Sequence, residues 1–158
     1  MRILGLRVDV RPSAILPAIT VFVLSLIAAR NKPHPVRLAL ASTLLFFEAE
    51  ANHIAGHLVS SALVGAPIDR ILLGVRGYTL YDNNDVEPYQ HIGRAVGGPL
   101  GSAISMLCWW GIWRLRRNKG GGDIATLGLI YNLFFTLGSW LPIPSVDGYV
   151  ILKNIAKL

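Results

Sequence analysis

The sequence predicts an all-α, polytopic membrane protein with about four transmembrane helices and one short β-hairpin. Three observations carry that expectation. The chain of 158 residues is 53% hydrophobic and only 15% charged, with a mean hydropathy of +0.49, whereas ordinary soluble domains carry about 25% charge. Its apolar residues fall into long runs, 12–29, 38–68, 95–113 and 124–146, close to the roughly 20 residues that cross a hydrocarbon core. Its basic residues close those runs instead of clustering with interleaved aromatics, so the net charge of +6 belongs to membrane flanks and not to a nucleic-acid surface. The expected partner is a lipid bilayer, with no nucleic acid, and the expected location is integral and multi-pass.

Taken in order, residues 1–11 alternate apolar and polar, as a short strand does. The Arg2 and Arg7 flank is not followed by a clear small-residue cleavage site, so the segment reads as mature chain. Residues 12–29 hold no charge and make a first span, closed by Arg30, Lys32 and Arg37. Residues 1–37 are therefore expected as an N-terminal strand-like segment with that span, and 38–158 as the membrane core. The run 38–68 is too long for a strand and has no interior proline before Pro67, so it is read as a helix ended by Gly65 and Pro67.

From Ile68 to Tyr81, β-branched and aromatic residues between glycines suggest a strand pair, and Asp82-Asn83-Asn84-Asp85 a turn. The run 95–113 begins with Gly97-Gly98-Pro99-Leu100-Gly101-Ser102, small residues that let a neighbouring helix approach closely. No Walker-type lysine follows, so these glycines are packing residues and not a phosphate cradle. Trp109, Trp110 and Trp113 end that run as an interfacial belt would. Cys108, the single cysteine, has no partner for an intrachain disulfide and reads as a small core residue. Arg114, Arg116, Arg117 and Lys119 with Gly120-Gly121-Gly122 form a basic, flexible connection. The last run must break near Pro142, leaving Asp147 at a protected kink. Counting Lys and Arg near the span ends gives seven on each side, with Arg94 at a boundary, so orientation stays open.

The chemistry-bearing stretch is Glu48-Ala-Glu50-Ala-Asn52-His53-Ile54-Ala-Gly56-His57, inside the second run. At about 3.6 residues per turn, Glu50, His53, Ile54 and His57 fall in one sector of roughly 100°. Glu48 lies about 160° from Glu50 on that helix and is expected to pair with an arginine, Arg94 being a candidate. Carboxylates and imidazoles in an apolar span need partners, and a metal ion is one solution. His34 and His91 are expected in loop or interfacial positions.

Three separated segments together resemble the site-2 protease family of intramembrane zinc metalloproteases. The family's His-Glu-x-x-His helix has its counterpart in His53-Ile54-Ala55-Gly56-His57, and its Gly-x-Pro hairpin start in Gly65-Ala66-Pro67. Its Ala-Gly-Pro-Leu-x-Asn helix looks like Gly97-Gly98-Pro99-Leu100-Gly101-Ser102. Its Asn-x-x-Pro-x-x-Pro-Leu-Asp-Gly segment looks like Ser139-Trp140-Leu141-Pro142-Ile143-Pro144-Ser145-Val146-Asp147-Gly148. The resemblance covers roughly residues 40–155 and implies that His53, His57 and Asp147 ligate zinc, leaving one position of a catalytic site open.

The departures bear on activity. Ile54 stands where the family has its general-base glutamate, Ser102 and Ser139 where it has asparagines, and Ser145 where it has a second proline. Loss of a general acid/base lowers rate by about 10²–10⁴. Glu50 is the nearest replacement on that face, but it sits about 6 Å along the helix axis from position 54. It would act as a substitute base or accept a hydrogen bond from the ring of His53. Whether the chain is an enzyme is therefore left open by its sequence. One expectation is a zinc metallopeptidase homologue, impaired or using a nonstandard base; the other is a noncatalytic pseudoprotease that binds or regulates transmembrane segments of membrane proteins. A purely structural protein would leave His53, His57 and Asp147 unexplained.

Overall fold

A computed structural model describes residues 2–3, 6–118 and 122–158. Met1, Leu4 and Gly5 of the strand-like segment, and Lys119, Gly120 and Gly121 of the basic connection, lie outside them. The elements run β1 (Arg2–Ile3), β2 (Leu6–Val10), a 3₁₀ turn (Pro12–Ala14), α1 (Ile15–Ala28), α2 (Pro35–Leu63), β3 (Arg70–Leu73), β4 (Gly77–Leu80), α3 (Pro88–Arg116), α4 (Gly122–Gly138) and α5 (Asp147–Ile155). The chain is mostly helical with one small sheet. Among the described residues one helix, α3, is long and apolar enough to cross a membrane, while Pro12–Ala28 and Gly122–Gly138 are shorter apolar helices.

The expected strand and hairpin are joined in a way their sequences did not indicate. The sheet order is β1-β2-β3-β4, with β2 parallel to β3 and Val8 opposite Ile71. A parallel pair needs a long crossover, and α1 with α2 supplies it. Val8 and Ile71 pack onto Ile54 of α2, with Leu6, Leu58 and Leu73 around them.

Chain punctuation sets the helix ends. Proline occupies the first turn of α2 and of α3, where a missing N–H is harmless. Glu87 and Gln90 form a reciprocal capping box at the start of α3. α4 ends at Gly138, one turn earlier than a break at Pro142 would give, and an irregular stretch leads to α5. Ser145 there has φ 70°, a left-handed conformation closed to proline, whose φ is fixed near −65°. That excludes proline at this position.

The core is unusual in what it contains. The largest fully buried side chains are Asn132, Pro99, Ser42, Ser61 and Ser102, mostly polar or small. α1 buries no residue, and Leu16, Ile19, Val23 and Ile27 stand exposed on it. Cys108 is exposed, correcting its expected place in the core. α3 faces inward through Gly98, Ser102, Ser105 and Trp109, a helical 4-3-4 spacing, and position 108 lies about 100° off that stripe.

Candidate metal centre

α2 and the start of α5 bring His53, His57 and Asp147 together, with one ligand atom from each within 4.8 Å of the others. The two Nε2 atoms are 3.1 Å apart. His53 Nε2 lies 3.2 Å from Asp147 Oδ2, and His57 Nε2 lies 3.5 Å from Asp147 Oδ1. The i, i+4 spacing puts the imidazoles on one face of α2.

The outer nitrogens explain why the inner ones converge. His57 Nδ1 donates to the Arg94 carbonyl at 2.7 Å; a carbonyl only accepts, so the proton is on Nδ1 and the Nε2 lone pair faces inward. His53 Nδ1 is 3.1 Å from Ser102 Oγ, and its ring tilts against Phe135 with centroids 5.8 Å apart. Partners of this kind orient ligating histidines. Gly98 of α3 completes the cradle, since a Cβ there would fall 2.3 Å from His57 Nε2 and 2.5 Å from His53 Nε2. Asp147 is held by backbone: Gly148 N–H donates to the Ser139 carbonyl at 2.7 Å. Two imidazoles and a carboxylate converging through Nε2 and Oδ atoms are a donor set that could hold a metal ion, and they suit zinc.

The group borders a cavity of about 860 Å³ whose lining includes Glu50, Ile54, Tyr81, His91 and Arg94. Burial pushes the Tyr81 phenol above its ordinary range, so it stays protonated at neutral pH. Ile54 reaches the cavity but is 9% exposed and belongs to the apolar cluster under the sheet. His91 lies in the cavity wall; His34 occupies the N-cap position of α2 and is not among the lining residues.

Several expected contacts are replaced by others. Glu50 accepts a hydrogen bond from Gly77 N–H at 2.7 Å and none from His53, whose ring nitrogens are engaged by Ser102, His57 and Asp147. Side chains on a helix lean towards its N-terminus, which carries Glu50 to the hairpin. Glu48 does not pair with Arg94. Arg94 donates to the carbonyls of Ala66 at 2.8 Å and Asn83 at 3.2 Å, and stacks 3.9 Å from the Tyr81 ring centroid.

Glu48 instead takes neutral donors: Asn52 Nδ2, Ser105 Oγ at 3.1 Å, Trp109 Nε1 at 3.3 Å and Asn132 Nδ2 at 3.1 Å. Trp109 is thereby turned inward, unlike Trp110 and Trp113, which lie under Arg114 and Arg117. This cage was missed in the sequence, although Asn52 at i+4 from Glu48 and the lone Asn132 in an apolar run were its visible signals. Of the family's asparagine positions, Ser102 serves His53, and the Ser139 hydroxyl is committed to the Phe135 carbonyl.

Among solved structures, the fold matches the Site-2 Protease from Methanocaldococcus jannaschii with a TM-score of 0.73 and 22% sequence identity, covering 99% of this chain and 70% of that one. No family model matches the sequence, and no curated protein matches it. The chain therefore shares the site-2 protease fold, across its whole described length.

Proposed function

We propose that this chain is a multi-pass membrane protein of the site-2 protease type that binds zinc through His53, His57 and Asp147 and is impaired as a peptidase. The observation that carries the metal reading is the convergence of the three ligand atoms, each imidazole oriented from behind. The membrane reading is supported by an interior of polar and small side chains beneath an apolar exterior, the reverse of a water-soluble domain. Four spans follow from it, α1 to α4, with α1 and α4 short for a full crossing.

Bound there, zinc would supply Lewis-acid polarisation of a peptide carbonyl and activation of water. The chain's own residues contribute less to hydrolysis. Ile54 can move no proton, and it is packed against Val8 and Ile71. Glu50 borders the cavity, but its carboxylate is occupied by the Gly77 amide. These two observations favour a noncatalytic role as well, in which the cavity holds a transmembrane segment of another protein without cutting it.

Metal analysis of the purified protein beside His53→Ala and Asp147→Ala tests the first claim: about one zinc per chain is expected, lost in both variants, and a metal-free wild type would sink it. For catalysis, wild type, Ile54→Glu and Glu50→Gln are compared in a membrane proteolysis assay. Cleavage by Ile54→Glu alone marks a pseudoprotease. Wild-type cleavage that vanishes with Glu50→Gln marks a working substitute base.

A further inference from the structure

α2 and α3 meet along a nearly smooth surface. A Cβ at Gly56 would fall 2.1 Å from the Gly97 carbonyl oxygen, and one at Gly101 would fall 3.0 Å from Gly56 Cα. Such contact permits close approach, yet glycines carry no side chains to interdigitate. Gly97, Gly98 and Gly101 offer related surfaces to α2, so the slide of one helix along the other is fixed by directional contacts: His57 to the Arg94 carbonyl and Gln90 to the Val64 carbonyl towards one end, and the carboxylate of Glu48 at the other. The candidate centre depends on that slide, because Gly98 and no other residue type must face the two imidazoles.

We infer that Glu48 is the positioning residue that sets this register, its carboxylate gathering Asn52 of α2, Ser105 and Trp109 of α3, and Asn132 of α4 at one point. Single buried polar groups are best attested in this role of selecting one register over others. The cage lies next to the supports of His53 and Asp147. Asn52 precedes His53 and also donates to Ser105 at 2.8 Å, and Ser105 is one turn from Ser102, the partner of His53 Nδ1. Asn132 is one turn from Phe135, whose ring meets His53 and whose carbonyl receives the Ser139 hydroxyl. Ser139 in turn holds Gly148, beside Asp147.

Glutamine at position 48 sets an amide N–H₂ against one of these donors. Asn132 cannot answer by turning its amide over, because its Nδ2 also donates to the Gly128 carbonyl at 3.0 Å. The network therefore loses one of its two acceptor oxygens and the negative charge, and Asn132 Nδ2 or its counterpart donors are left facing an N–H₂.

Register can be read without any metal. A Cβ at Gly93 would lie 3.2 Å from Val64 Cβ, near disulfide geometry. In a Cys108→Ser background, Val64→Cys is oxidised with Gly93→Cys, or with Tyr89→Cys or Val96→Cys one turn away. Gly93 should be strongly preferred with Glu48 present, and Glu48→Gln should abolish that preference. The link to the centre rests on the zinc reading above, and there Glu48→Gln should weaken zinc binding about tenfold or more, as loss of outer partners does.

Should Glu48→Gln not accumulate as folded protein, Ser105→Ala/Trp109→Phe, which removes only the α3 donors, takes its place with the same expectations. An unchanged cross-linking preference overturns the inference, whatever happens to zinc. A lost preference in a chain that binds no zinc rejects the metal reading and leaves the register role standing.

Discussion

Glu48 and Glu50 leave the same helix two residues apart and meet opposite surroundings. Glu48 is enclosed by side-chain donors from three helices, whereas Glu50 reaches a cavity wall and takes one backbone amide from the hairpin. Their different directions on α2 separate them. The contrast teaches that an acid near a histidine motif is not chemistry by proximity: one carboxylate organises the bundle, the other ties down the rim of the site. Neither reaches the three atoms that face one another at His53, His57 and Asp147.

The largest effect expected from breaking this contrast is Glu48→Ala. It strands several donors at once, each at about 1–3 kcal/mol when left unpaired in the interior, so stability should fall by about 3 kcal/mol or more. Chemical unfolding in detergent measures it, and a loss no greater than that of Glu50→Ala would erase the distinction between the two acids. Next comes Asp147→Ala, which should cut zinc affinity by more than about 100-fold, the upper range for losing a mere outer partner, while leaving the Glu48 cage and hence the helix content intact. Competition with a chelator reads the first, circular dichroism the second.

Ile54→Glu should destabilise by about 2 kcal/mol or more, since it puts a polar group into the cluster of Val8 and Ile71. A neutral outcome in the same unfolding measurement would show that the carboxylate turns into the cavity instead. The smallest effect belongs to Glu50→Gln, which keeps an acceptor for Gly77 N–H and should change stability by less than about 1 kcal/mol. A large loss would mean that the hairpin contact carries more of the fold than one hydrogen bond provides.

Much of this was legible in the residues. Apolar runs located the helices α1 to α4, and glycines and prolines marked their ends, because those signals are local. His53 and His57 shared a face by helical period alone. Asp147 was reached through its resemblance to a known motif, since nothing in spacing ties it to histidines 90 and 94 residues earlier. The partner of Glu48 was misjudged: charge pairing suggested Arg94, but that guanidinium is satisfied by carbonyls and an aromatic ring near the hairpin. The parallel pairing of β2 with β3 was equally invisible, as alternation specifies a strand and not its neighbour.

The sequence by itself determined where helices form, which face of α2 carries imidazole, and that position 54 holds no base. These follow from backbone propensity and residue identity, which are properties of short stretches. Only the tertiary structure decided which acid meets which donor, that Ile54 packs into the apolar cluster under the sheet, and that Asp147 closes on the two histidines. Hydrogen bonds and lone pairs are directional over about 3 Å, and only packed helices bring distant residues to that range.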